Sequence, residues 1–384
     1  MIPVDVFESV LRTALAPVAP FLDDESVTEI AINGPSEIFI ERKGQLSRTD
    51  AKFDSGDSLL SALRIIAQYV GRHLDEQHPI LEARMPDGSR VEALLPPVAP
   101  DGPAVSVRRF SKERLTLAKL LTFGALSQDA ADTLNALIVC KQNVVIAGGT
   151  GSGKTSMLNA LSALIPDGER VIVIEDAREL QLQREHVVQL EARPPDARGK
   201  GAITIRDLFK ASLRMRPDRI VLGEIRGGES LDLIQAMTSG HGGCLTTVHA
   251  TYPIDTLNRL ETLALMGGVE LPLSALRAQL ASAVDIIVQT ARMRDGRRRV
   301  THISEVLGVD TNHSYRLNDL FTTCSIRPLS DGTVPIELIP TGALPGCIDI
   351  IRAHGLELPS SLAQAARRKP TELQGICHEP SHES

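Results

Sequence analysis

The sequence predicts an α/β protein in two parts, a smaller α+β domain followed by a larger domain built on a parallel sheet. Three observations lead there. Short, fully apolar runs such as Val144-Val145-Ile146-Ala147 and Ile220-Val221-Leu222 recur after residue 113, and strands that apolar belong to sheets covered on both faces. Helical periodicity lies between them, for example Ile205, Leu208, Phe209 and Leu213 within 204–215, which is the alternation of a parallel sheet with its crossover helices. Before residue 112 the pattern differs: Glu37-Ile38-Phe39-Ile40-Glu41 alternates as a half-buried strand does, and turn residues recur at short intervals.

Composition narrows the class. A chain of 384 residues has room for two domains with cores of their own. Its 42% hydrophobic and 23% charged content is ordinary for globular proteins. With no tryptophan and 3% aromatics, the cores must be aliphatic. A net charge of −7 argues against a general nucleic-acid binder. The five cysteines are odd in number and lack CxxC spacing, so no disulfide framework and a reducing cytoplasm are expected. The first 25 residues lack the blocks of a signal peptide, and no run of about 18 apolar residues occurs. A soluble protein, able to work at a membrane surface, is the expectation.

In chain order, 3–20 reads as an amphipathic helix broken at Pro17 and Pro20. Residues 27–48 read as β structure with a turn at Asn33-Gly34-Pro35, and 57–74 carries helical periodicity. A hairpin signal at Pro86-Asp87-Gly88 precedes a strand from Arg90, and 105–110 is one more strand. In the larger domain, strands are expected at 144–147, 170–174, 187–190, 220–222 and 245–248. Helices are expected at 204–215, 253–266 and 273–282, then a hairpin closed at Asp295-Gly296. Beyond residue 310 the pattern weakens, and the last fifteen residues read as disordered. The boundaries are 1–112, 113–310 and a C-terminal extension, 311–384.

Gly148-Gly149-Thr150-Gly151-Ser152-Gly153-Lys154-Thr155 has the spacing G-x-x-x-x-G-K-[ST] directly after an apolar strand. Glycines let successive N–H groups turn in around phosphate oxygens where a Cβ would collide, and the helix that follows aims its positive end at the same anion. Lys154 would bridge the β- and γ-phosphates and the Thr155 hydroxyl would bind Mg²⁺. Mg·ATP binding is the chemistry this segment fits.

Downstream strands end on candidate partners. Glu175 and Asp176 close Arg170-Val171-Ile172-Val173-Ile174, and Glu224 closes Ile220-Val221-Leu222-Gly223. Ligands of parallel sheets bind at the carboxyl ends of strands, so these carboxylates can hold magnesium or orient the attacking water. Without that placement the Glu175-Asp176 pair reads as a polar strand exit. His249 ends Leu245-Thr246-Thr247-Val248. His241, Cys244 and His249 also read as metal ligands, with a fourth ligand missing.

Taken in order, the P-loop, Ile174-Glu175-Asp176, Arg216-Pro217-Asp218-Arg219-Ile220 with Gly223-Glu224-Ile225-Arg226, and Gly240-His241 through Thr247-Val248-His249-Ala250 resemble the secretion ATPase superfamily. Its members are the hexameric motors of type II and type IV secretion and type IV pili. Arg193-Pro194-Pro195, Thr204 to Leu208, Leu213 to Ile220, Gly223 to Glu229, Pro96 to Pro103 and Ser106 to Phe110 resemble the CpaF/TadA-type ATPases of Flp (tight adherence) pili. Gly242 and Cys244 depart from the histidine motif of that family. The resemblance spans about 27–310. It implies a RecA-like P-loop NTPase domain behind an N-terminal α+β domain that closes over ATP. It implies that Glu175 and Glu224 share water activation and magnesium ordering, and that His249, with His241 as a second candidate, senses the γ-phosphate. Arg90, Arg108 and Arg109 would reach the nucleotide, Arg108 and Arg109 from a neighbouring subunit; otherwise Arg108-Arg109 is a solvated strand end. Arg206, Lys210, Arg214 and Arg216 read equally as inter-subunit contacts or as surface charge. The implied protein is a cytoplasmic hexamer at the inner membrane, with a polytopic platform protein as partner and no direct nucleic-acid contact. A type IV secretion or conjugative DNA-transfer ATPase and a pilus retraction motor are the alternatives within the superfamily. Outside it stand a DNA-handling P-loop motor, a nucleotide-sensing scaffold without turnover and a small-molecule kinase.

Overall fold

The computed structural model describes residues 4–42, 44–110, 115–196, 199–268, 270–293, 295–325 and 336–367. The chain divides into two compact units, 1–114 with 194–202, and 115–193 with 203–384. The last fifteen residues, expected to be disordered, lie outside the described residues.

The first unit opens with helices α1 (Val4–Ala14) and α2 (Ala19–Asp23), separated where Pro17 interrupts. Strands β1 (Val27–Asn33), β2 (Glu37–Arg42) and β3 (Gln45–Arg48) precede α3 (Gly56–Tyr69), and β4 (Ile80–Arg84), β5 (Arg90–Leu94) and β6 (Ala104–Arg108) follow it. The six strands form one antiparallel sheet in the order β3-β2-β1-β6-β5-β4. Alternating burial along β1, β2 and β5 marks one covered face. Ile30, Ile32, Ile38, Ile40, Leu81 and Val91 pack there with Leu59, Leu63 and Ile66 of α3 and Phe7 and Leu11 of α1. Ser55 caps α3 by accepting from the Ser58 amide, while Ser58 reaches back to the Ser55 amide.

The second unit starts with α4 (Leu117–Thr122) and α5 (Gln128–Val139), then β7 (Val144–Gly148), α6 (Lys154–Ser162), β8 (Val171–Glu175), β9 (Val187–Glu191) and α7 (Ile205–Ser212). It continues with β10 (Arg219–Leu222), α8 (Glu229–Thr238), β11 (Leu245–Val248), α9 (Pro253–Leu265), α10 (Leu273–Ala283), β12 (Ile286–Arg292) and β13 (Arg298–Val309). Last come β14 (Tyr315–Ser325), β15 (Ile336–Pro340), α11 (Ile348–Ala353) and α12 (Ser360–Arg367). The sheet order is β15-β14-β13-β12-β7-β11-β10-β8-β9. Strands from β12 to β9 pair in parallel and those from β12 to β15 antiparallel. Successive residues of β7 feed opposite cores: Val144 and Ile146 join the Leu134, Leu137 and Leu158 side, Val145 and Ala147 the Phe209, Leu257 and Leu280 side. Every residue of β7, β8, β10 and β11 is buried, as their mostly apolar spelling requires, and the polar Glu175, Arg219, Thr246 and Thr247 are buried with the rest. Each Leu or Ile fully buried there contributes about 1.5–3 kcal/mol.

Two departures from the sequence expectation have physical causes. Helices α5 and α8 are not anticipated, because each is buried on most sides and so lacks the polar stripe that marks an amphipathic helix. Residues beyond 310, where periodicity weakens, still add β14 and β15 to the sheet. Antiparallel edge strands keep few apolar anchors, here Leu320 and Phe321, among polar residues. Cys140, Cys244 and Cys347 are free thiols. Cys324 is disulfide-bonded, where no disulfide framework was expected.

Candidate functional site

The parallel strands β7, β11, β10 and β8 end at one edge of the sheet, and the candidate residues of the second unit gather there. β7 runs into the glycine-rich loop, whose tightest constraint is Gly148. A Cβ on it would stand 2.3 Å from Ser152 Oγ and 2.4 Å from Thr290 Oγ1. That space is taken by a latch: Ser152 Oγ and Thr290 Oγ1 are 3.0 Å apart, and Thr290 also donates to the Ala147 carbonyl at 3.0 Å. Gly153, at φ +96°, turns the chain into α6 through a left-handed conformation. Gly149, Thr150 and Gly151 are exposed at the crest of the loop, and Thr155 is half-buried in the first turn of α6.

Lys154 is 8% exposed. Its Nζ donates to the Gly148 and Gly149 carbonyls, both at 3.1 Å, and lies 3.3 Å from His249 Nδ1. His249 Nε2 in turn stands 2.8 Å from Glu224 Oε1. Arg226 donates to the other oxygen of Glu224 through Nε at 3.0 Å and Nη2 at 2.8 Å, and to Asp176 at 3.1 Å. A line of contacts thus runs Lys154–His249–Glu224–Arg226–Asp176 across the ends of four strands. Burial first, and then the Lys154 ammonium, hold His249 below the usual imidazole range, against the opposing pull of Glu224. The Arg226 guanidinium is held above its ordinary value by its hydrogen bond and charge pairing with Glu224 and by Asp176, which outweigh its partial burial.

Glu175 is 4% exposed at the end of β8. Its Oε1 accepts from the Glu179 and Leu180 amides at 2.8 and 2.9 Å. Gly223 leaves room for it, since a Cβ there would sit 3.1 Å from Glu175 Cγ. Further stitches hold the edge together. Thr247 Oγ1 donates to the Gly223 carbonyl at 2.8 Å, and Gln289 Nε2 donates to Ala250 and Thr251 carbonyls just after His249. Glu229 receives the Arg226 and Gly227 amides at 2.7 and 2.8 Å, which fixes the turn carrying Arg226 into α8.

Lys154, Glu224 and His249 therefore lie in one chain of contacts, with Glu175 on the adjacent strand end. His241 does not join them. It precedes β11, whose four residues separate it from His249, so the two histidines stand at opposite edges of the sheet. The metal reading of His241, Cys244 and His249 fails for the same reason, and no group of three metal-ligating side chains occurs among the described residues. A thiol pushed up to about 12 by burial makes Cys244 a poor ligand as well. Arg206 pairs with Asp232 and donates to the Gly267 carbonyl at 3.2 Å, and Lys210 is 3.6 Å from Asp232. Arg206 and Lys210 are thus both paired with Asp232 within the chain.

Arg90, Arg108 and Arg109 belong to the first unit. Arg90 and Arg108 face each other across β5 and β6, and cross-strand partners share a face. Arg109 donates to the Asp24 carbonyl and, at 2.9 Å, to that of Val27. Arg226, Gln289, Thr290 and Arg298 enter the site without having been singled out as site residues, and Asp176, expected as a strand-end carboxylate, takes part through its hydrogen bond with Arg226. Arg226 lies within the motif Gly223-Glu224-Ile225-Arg226, whereas Thr290 of β12 and Arg298 of β13 reach the loop from 138 and 147 positions away and, like Gln289 of β12, leave no local signal.

The residues at this edge fit a magnesium nucleotide: a cradle closed to any Cβ at Gly148, a buried lysine at the helix start, a hydroxyl at Thr155 and a carboxylate at Glu224. No helix among the described residues is long and apolar enough to cross a membrane. Comparison with known proteins agrees with this chemistry. The type II/IV secretion system protein family matches residues 12–315. The type IV secretion system protein VirB11 of Bartonella quintana is 32% identical over 331 residues, 77% of this chain and 92% of that protein. The conjugal transfer protein TrbB of Rhizobium radiobacter is 34% identical over 301 residues, 76% and 87% of the two chains. The ATPase DotB of Yersinia pseudotuberculosis shares the fold, with a TM-score of 0.53 at 16% identity over 82% of this chain and 81% of that one. The N-terminal α+β and RecA-like pairing is that of these secretion ATPases, and the chain belongs to the type II/IV secretion system protein family within the secretion ATPase superfamily.

Proposed function

We propose that the chain hydrolyses Mg·ATP at this edge and spends the energy as mechanical work in a secretion or pilus machine, as a ring of identical subunits at the inner membrane. The observation that carries the proposal is the contact line from Lys154 through His249 to Glu224. Lys154 takes the β- and γ-phosphates, and Thr155 and Glu224 take Mg²⁺. The nearly neutral imidazole of His249 stands where it can register the γ-phosphate. Glu175, whose Oε1 accepts two backbone amides, and Glu224, whose oxygens are held by Arg226 and His249, share water activation and magnesium ordering.

Transition-state charge is neutralised in trans by the first unit. Arg108 is exposed, which favours it over Arg109, whose guanidinium serves two backbone carbonyls. Within the superfamily, the proline-rich and arginine-rich segments quoted above favour assembly of Flp-type pili, with a polytopic membrane protein as the driven partner. A type IV secretion or conjugation motor is the second reading, favoured by the names of VirB11 and TrbB.

Steady-state ATP turnover of the assembled protein tests the proposal. Lys154→Ala lowers turnover by more than about a hundredfold with the fold retained, and unchanged turnover ends the assignment. Mixing Lys154→Ala chains with Arg108→Ala chains restores part of the activity if the arginine acts across subunits.

A further inference from the structure

We infer that Arg298 is a positioning residue of the phosphate-binding loop, an inference that rests on the site proposed above. The register between β12 and β7 aligns Thr290 with Gly148. The distal half of the β12–β13 hairpin therefore runs on beside the loop. Three arginines follow one another where β13 begins, and Arg292 of β12 is the cross-strand partner of Arg298. Arg297 Nε is 3.8 Å and Arg299 Nη2 3.6 Å from Asp295, and Arg299 Nη1 also donates to the Ile336 carbonyl at 3.0 Å. Arg298 instead turns to the loop, donating through Nε to the Gly151 carbonyl at 2.9 Å. Its Cδ lies 3.3 Å from where a Cβ on Gly153 would be, so the aliphatic stem covers the glycine that starts α6.

The peptide between Gly151 and Ser152 explains why this contact matters. Gly151 at φ +70° and Gly153 at φ +96° flank Ser152, and peptides beside glycine reorient with least hindrance. The Ser152 amide donates to the Gly149 carbonyl at 3.3 Å. In a trans peptide the N–H and the preceding C=O point opposite ways. Arg298 on the carbonyl and Gly149 on the amide thus grip one plane from its two sides. Were the plane to flip, the Gly151 carbonyl would turn its partial negative charge toward the phosphates. The guanidinium also sets a fixed cation beside the crest of the loop, in a planar geometry that lysine reproduces only in part. Arg298 acts through the loop, so it governs how well the loop accepts phosphate and leaves the water-activating groups alone.

Titration of the full chain with fluorescent ADP and ATP, alongside turnover, tests this. Arg298→Ala weakens both nucleotides and raises KM about tenfold, the worth of one charge-assisted hydrogen bond, with kcat at saturation changed less than about twofold and ligand-free melting unchanged. Arg298→Lys recovers part of the affinity, and Arg297→Ala binds as wild type does. Wild-type affinity in Arg298→Ala overturns the inference, as does a fall in kcat at constant KM. If alanine prevents folding, Arg298→Met serves in its place under the same criteria. Lys154→Ala run in parallel separates the two failures: if it binds nucleotide normally, the site reading falls and Arg298 with it; if it loses binding while Arg298→Ala does not, only the Arg298 inference falls.

Discussion

Seven residues apart on one segment, Arg219 and Arg226 sit at opposite edges of the same sheet and do opposite things. Arg219 opens β10 with its side chain fully buried, its Nε on Glu169 at 2.5 Å and neither Nη bonded among the described residues. Gly243 is shaped around it, since a Cβ there would meet Arg219 Nη1 at 2.4 Å. Nearby Asn143 ties three strand starts together, holding Ala283 O, Cys244 N and Asp285 through hydrogen bonds of 2.7–3.0 Å. Arg226 follows the other end of β10, with its side chain 56% exposed between Glu224 and Asp176. The amino-terminal edge seals its charge inside; the carboxyl-terminal edge leaves charge where a ligand can compete for it. Strand direction accounts for the division, because in a parallel sheet all carboxyl ends, with their loops and helix starts, fall on one side.

The sharpest way to break this comparison is to remove charge from the open edge. Glu224→Gln keeps the shape of the side chain while weakening its hold on magnesium and water. Turnover falls about a thousandfold, near 4 kcal/mol of barrier, while nucleotide affinity and melting temperature hold. A large loss of stability in Glu224→Gln would show that the open edge is structural after all.

The sealed edge gives the converse. Arg219→Ala removes a buried partner and leaves a void, at a cost of about 3 kcal/mol; Glu169, with a fifth of its side chain exposed, retains some water once alone. Arg219→Met fills the space without a charge and costs less than about 1 kcal/mol, since uncharged isosteres of buried pairs are often neutral. Both variants bind nucleotide as the wild type does. Denaturant unfolding and ligand titration check the pair, and a methionine variant that folds well but binds nucleotide poorly would join the two edges functionally.

How much of this could be read beforehand follows from the same geometry. The loop from Gly148 to Thr155 is contiguous, so its spacing alone exposed it, and Glu175, Glu224 and His249 stood out because each closes an apolar strand. The partners of those residues were illegible. Asp176 meets Arg226 from 50 positions away, and Thr290, Gln289 and Arg298 reach the site only because β12 lies beside β7. Sheet order is set by burial over the whole domain, and residue spacing does not encode it. His241 illustrates the opposite error: it lies eight positions before His249, but a four-residue strand between them carries the two histidines to opposite edges. In the first unit the alternation of β2 was plain, whereas β3, exposed along its length, offered only its place after a turn.

The smallest expected effect sharpens the comparison through pH. Asp285, just before β12, is pushed up to about 6 by burial and by the neighbouring Glu305, against the stabilising Asn143 amide. Glu305 itself accepts from the Gly346 amide at 2.7 Å, and the Cys347 thiol beside it is held protonated at about 11. Because the folded state binds this proton more tightly than the unfolded chain does, stability is fully present below the unfolded value of 3.8 and is lost as pH rises to about 6. A rise of about two units corresponds to about 3 kcal/mol at most. Asp285→Asn keeps an oxygen for the Asn143 amide and carries no charge, so its unfolding free energy lacks that downward slope and exceeds the wild type's above pH 6. Parallel curves for the two proteins between pH 4 and 7 would mean that Asp285 reaches water, and that the amino-terminal edge is less sealed at β12 than at Arg219.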